Sequence, residues 1–73
     1  MTLAERVRAA QPPPPEARRK IRCDARVSLA EVAAELHVSP VTVQRWEQGA
    51  FEPRRSKAIA YRNLLEALRE ASR

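Results

Sequence analysis

The sequence predicts an all-α protein, a small bundle of four to five helices. Three observations lead there. Residues 28–36 and 39–49 each open with a residue that caps helices and then place apolar side chains three and four positions apart. Residues 54–71 carry a wide apolar face at the same spacing. A chain of 73 residues with one cysteine has no disulfide framework, so one small domain with a modest core must rest on helix packing.

The elements follow in order. Residues 2–10 form a short helix candidate, with Thr2 and Glu5 as a capping box and Leu3, Val7 and Ala10 as a weak apolar face. Pro12, Pro13, Pro14 and Pro15 exclude regular helix and favour a stiff polyproline II spacer. Residues 1–15 therefore read as an N-terminal helix or arm with a proline-rich linker, and residues 16–73 as the folded domain. The first core helix spans 16–25, with Ala17 and Ile21 inward and Val27 closing its end. The next starts at a capping box of Ser28 and Glu31; Leu29, Val32, Ala33 and Leu36 share one face, and the small Ala33 and Ala34 allow close helix approach. Ser39 caps the following helix, where Pro40 suits the first position because its missing N–H would be unpaired there anyway. Val43 and Trp46 form its inward stripe, and Gly49, the single glycine of the chain, stands where a helix end needs a left-handed residue. Phe51 is expected to anchor the connection 50–55 onto the core, and Pro53 to begin or precede the last helix. Ile59, Tyr61, Leu64, Leu65 and Leu68 give that helix its apolar face, which either belongs wholly to the core or leaves part for a dimer contact.

Two short helices with so few residues between them cannot pack far apart. The run SLAEVAAELHVSPVTVQRWEQG has the layout of a helix-turn-helix, whose second helix lies in the major groove of duplex DNA. Val38 plugs the angle between the two helices, and His37 occupies the place where glycine is usual; histidine tolerates a positive φ better than branched residues do.

This run resembles the phage-repressor and Cro-like (XRE) helix-turn-helix family. The resemblance rests on Ile21-Arg22, Val27-Ser28, Ala33, Val38, Thr42-Val43, Glu47, Gly49 and Pro53, with WEQGAFEP as its most specific stretch, and spans roughly residues 16–68. It departs at His37, for glycine, and at Leu29, for a polar residue that contacts phosphate. The resemblance implies a lambda-repressor-like bundle. It also implies an ion pair between Arg22 and Glu47 that fixes the end of the second motif helix. It further implies a small regulator of bacteriophage or mobile-element origin, a repressor of the Cro type, with no small-molecule effector.

Groove geometry names the candidate contacts. A helix in the major groove reads base edges with its first turn and the next, which selects Pro40, Val41, Gln44 and Arg45. Arg45 can bond guanine in bidentate fashion, Gln44 can pair with adenine, and Val41 can pack on a thymine methyl, while Pro40 offers only shape. Ser39, Thr42, Arg54, Arg55 and Lys57 are the candidate phosphate contacts. So few base-reading side chains specify only a short site, so a homodimer on a palindromic operator is expected, at least on DNA.

Charge agrees with a polyanionic partner: the formal net charge is +5 and the pI about 10.7. The basic residues flank the motif, through Arg18, Arg19, Lys20, Arg22 and Arg26 before it and Arg54, Arg55, Lys57 and Arg62 after it, whereas Glu31 and Glu35 make its first helix acidic. No apolar run reaches the roughly 18 residues of a membrane span. The segment MTLAERVRAA lacks the apolar stretch of a signal peptide, and the lone Cys23 suits a reducing compartment; a cytoplasmic location is expected. One histidine and one cysteine make no zinc site, and no paired acids or glycine-rich phosphate loop occur, so neither catalysis, metal nor cofactor is expected.

Two other readings stay open on the sequence. VTVQRWEQG also looks like the winged helix of MerR and excisionase proteins, which bend DNA as architectural factors, although a two-stranded wing is then expected where 54–71 reads as helix. An antitoxin or adaptor would instead use the last helix to hold a protein partner.

Overall fold

The computed structural model describes residues 2–5 and 11–73. Four helices carry the fold: α1 (Pro15–Asp24), α2 (Leu29–Leu36), α3 (Pro40–Gln48) and α4 (Arg55–Ala71). A helical turn at residues 3–5 precedes them, closed by the reciprocal bonds of Thr2 and Glu5; Val7 and Ala10, expected on its apolar face, lie outside the described residues. There is no strand among the described residues, and 55–71 is helix where a wing would stand.

Local chemistry sets the helix starts. Pro15 opens α1 at a position that needs no N–H. Ser28 and Glu31 form a full capping box at the start of α2, each accepting from the other's backbone N–H at 3.0 Å. The Ser28 backbone bond, reinforced by its hydroxyl, holds the Glu31 carboxyl below the usual carboxylate range. Ser39 Oγ accepts from the Thr42 N–H at the start of α3.

The first three helices end alike. Each closes on a left-handed residue, Arg26 (φ 58°), His37 (φ 56°) and Gly49 (φ 73°). In each case that residue's N–H and the next one turn back onto carbonyls of the last turn, as Val27 does onto Arg22, Val38 onto Ala33 and Ala50 onto Arg45. Only the third of these sites holds glycine. The residues that follow the first two, Val27 and Val38, pack against the core and supply the apolar contact that favours such an ending. A side chain at Gly49 would be strained twice, by the positive φ and by Pro15 Cγ, 3.3 Å from where a Cβ would stand.

The core gathers Ile21 from α1, Val32, Ala33 and Leu36 from α2, Val43 and Trp46 from α3, and Tyr61 and Leu65 from α4. Val27, Leu29, Val38, Leu64 and Leu68 flank it. The Trp46 and Tyr61 rings tilt against each other with centroids 4.9 Å apart. Every helix contributes, so none of the short helices has to be stable alone.

Three expectations about the core fail, and the helix-free proline run ends at Pro14 because Pro15 is already the first residue of α1. Ala34 is exposed, because it stands one residue, or about 100°, round α2 from the buried Ala33. Ile59 is 40% exposed: Tyr61 and Leu65 share the inward face of α4, and Ile59 lies about 200° round the helix from Tyr61. Phe51 is 44% exposed and is not part of the core, whose aromatic side chains are Trp46 and Tyr61.

Candidate nucleic-acid interface

Helix α3 divides cleanly. Val43 and Trp46 are buried, and Glu47 turns toward α1. Pro40, Val41, Gln44, Arg45 and Gln48 are exposed. Positions 41, 44, 45 and 48 fall on one face by helical spacing, so a row of two amides, a guanidinium and a valine faces solvent without interruption. Gln48 is the member that sequence reasoning missed; continuing the spacing one turn past Gln44 finds it.

Behind that face, α1 clamps the C-terminal end of α3. Arg22 meets Glu47 in a two-pronged pair, Nε donating to Oε2 at 2.6 Å and Nη2 to Oε1 at 3.1 Å, while its Nη1 donates to the Val27 carbonyl at 3.0 Å. The Glu47 carboxylate raises the Arg22 pKa further above its ordinary value, outweighing burial.

One turn earlier, Arg18 does a second job that the sequence did not reveal. Only 3% exposed, it donates to the Pro13 carbonyl at 2.6 Å, the Trp46 carbonyl at 3.0 Å and Glu52 Oε2 at 2.8 Å, and its guanidinium stands 5.9 Å from the Tyr61 ring centroid. Composition places it among the flanking charges for a polyanion, but its three nitrogens each bond an acceptor of the protein itself. Its place three residues before Ile21 was the available signal, since those positions share a face. Two cations at the end of α3 also oppose the partial negative charge that a helix C-terminus carries.

The candidate phosphate contacts lie in three different settings. Arg54 and Arg55 are exposed, and neither forms an ion pair among the described residues. Ser39 and Thr42 share a hydroxyl–hydroxyl hydrogen bond of 2.9 Å at the start of α3. Lys57 is half-buried, and its Nζ donates to the Leu36 carbonyl at 2.5 Å, closing the end of α2. Sequence spacing gave no hint of that bond, because it joins residues from two helices.

The arrangement is a capped, braced helix that presents a continuous exposed face of Val41, Gln44, Arg45 and Gln48 beside arginines with no ion pair among the described residues, which is the class of a helix-turn-helix DNA-binding domain. A helix-turn-helix family model matches residues 19–70, and the chain belongs to that family. It is a DNA-binding regulator of the XRE type, and the family's domain is one that binds duplex DNA and is not an enzyme. No match was found among curated proteins or among solved structures. No helix among the described residues is long and apolar enough to cross a membrane.

Proposed function

We propose that the chain is a sequence-specific regulator that reads the major groove with α3, as a small repressor of the Cro type from a phage or mobile element. The observation that carries this reading is the uninterrupted exposed face of Val41, Gln44, Arg45 and Gln48 on a helix whose opposite side is buried. Residues 16–73, with Pro15 as the first residue of α1, are the DNA-binding unit, and the residues before them an arm with a stiff linker. Arg45 bonds guanine, Gln44 pairs with adenine, Val41 packs on a thymine methyl, and Pro40 contributes shape. Arg54 and Arg55 hold the backbone; the hydroxyls of Ser39 and Thr42 and the remaining protons of Lys57 are further donors there. One copy reads too few base pairs to stand out in a genome, so two copies bind a palindrome with half-sites about one helical turn apart, without a small-molecule effector.

The test is selection of bound duplexes from a random pool at near-physiological salt. An inverted repeat is the expected product. A single asymmetric site or a direct repeat would overturn the dimeric repressor in favour of a monomer or an architectural array. No enrichment would overturn sequence-specific regulation and favour an adaptor that binds protein. On the selected duplex, Arg55→Ala should weaken all sequences alike and lower the salt dependence by about one released counterion.

A further inference from the structure

Of the four large apolar side chains left exposed among the described residues, two border the reading face: Val41 at its start and Phe51 just beyond its end. Phe51 did not become the core anchor that the sequence suggested. The chain ending of α3 explains where it went. Gly49 reverses the backbone in the left-handed region, and the Ala50 N–H closes onto the Arg45 carbonyl at 2.9 Å. The next side chain, Phe51, is thereby returned over the turn that carries Arg45. The Arg45 guanidinium stands 5.9 Å from the Phe51 ring centroid, within reach of a cation–π contact. Arg45 has no carboxylate or carbonyl partner among the described residues. An arginine held only by an aromatic face keeps all its N–H donors, because the ring engages the flat of the guanidinium and leaves its edge free.

We infer that Phe51 is a positioning residue for base recognition: its ring restrains the Arg45 guanidinium so that the donor edge meets a base already aimed. This rests on the reading of α3 as the major-groove helix. A bidentate contact requires the guanidinium plane to lie in the plane of the base pair, and a free arginine loses rotamer freedom when it is fixed there. A ring that limits those rotamers beforehand removes part of that loss, and the gain falls on the base that Arg45 reads and on no other. At an exposed site such a contact is worth roughly two- to fivefold in affinity.

The experiment uses the full chain and a duplex selected from a random pool by the wild type. Affinities for that duplex and for its single-base-pair variants are measured for the wild type, Phe51→Leu, Phe51→Tyr, Arg45→Ala and the Arg45→Ala/Phe51→Leu double variant. Phe51→Leu keeps apolar bulk without a π face and, at an exposed site, should melt where the wild type does. The expected result is a roughly two- to fivefold loss of discrimination in Phe51→Leu, at the same base pair where Arg45→Ala loses it. Phe51→Tyr should retain discrimination, and the double variant should be no worse than Arg45→Ala. Unchanged discrimination in Phe51→Leu overturns the inference. So does equal weakening on every duplex, or a further loss when Arg45 is already absent. If the wild type discriminates and Phe51→Leu matches it, only this inference fails. If the wild type enriches no duplex, the reading of α3 fails and the inference with it.

Discussion

Arg18 and Arg22 lie four residues apart on α1 and turn into the protein; Arg45, Arg54 and Arg55 lie on and after α3 and stay in solvent. In a net charge all five count the same. In the fold they divide into two sets with opposite work. Arg18 satisfies the Trp46 carbonyl at the end of α3, Arg22 the Val27 carbonyl beyond α1, and the two neutralise Glu52 and Glu47, so their charge is already answered. The outer set has no acidic partner among the described residues and is left to attract a polyanion. A basic composition therefore overstates the charge available for DNA, and what corrects it is which side chains the helices bury.

Breaking the inner set should have the largest effect. Arg22→Ala leaves Glu47, whose side chain is 6% exposed, without its partner, and should cost ~3–5 kcal/mol of stability in denaturant titration. Adding Glu47→Gln should restore part of that loss, since the uncompensated charge is then removed. The outer set should behave in the opposite way. Arg45→Ala should leave stability within about 0.5 kcal/mol of wild type, while costing ~1–3 kcal/mol of binding at one base position. Substantial unfolding in that variant would mean that the two sets are not separate.

Tyr61 sharpens the comparison from beneath Arg18. Burial first, and nearby Glu47 second, push its phenol up from 10.0 to about 12. The unfolded chain therefore releases this proton first, so stability that is complete below about pH 10 drains away as pH rises toward 12. Tyr61→Phe should lessen the alkaline decline by ~1–3 kcal/mol in melts across that window. Its hydroxyl is buried with no partner among the described residues, so the same change should be harmless near neutral pH. The smallest effect concerns an arginine of neither set. Arg26 is exposed and held at φ 58°, so Arg26→Gly should stabilise by ~0.5–1 kcal/mol in thermal melts. A loss of stability there would show that its left-handed conformation carries no strain.

Helix ends were readable because they depend on neighbours in the chain. Ser28 with Glu31, Ser39 with Pro40, and Gly49 each announce a boundary through bonds that span three or four residues. His37 could be placed in the turn for the same reason, although Arg26 took up a left-handed ending that its type does not advertise. The exposed face of α3 was legible from the positions of Val43 and Trp46, because burying those two leaves Val41, Gln44 and Arg45 outward. Phe51 was misplaced because an aromatic in a loop has no periodicity to give its direction.

The sequence by itself determined the helical class, the caps and the turn, and which side of α3 is inward, since all of these follow from contacts within one helix or across one turn. Only the tertiary structure decided which cations are spent and which are free. Arg18 reaches Glu52 across 34 positions and Lys57 reaches Leu36 across 21, while the Arg22–Glu47 pair, across 25, was expected only through the family resemblance. A guanidinium's role depends on whether an acceptor lies within about 3 Å of it, and that separation exists only once the helices have packed.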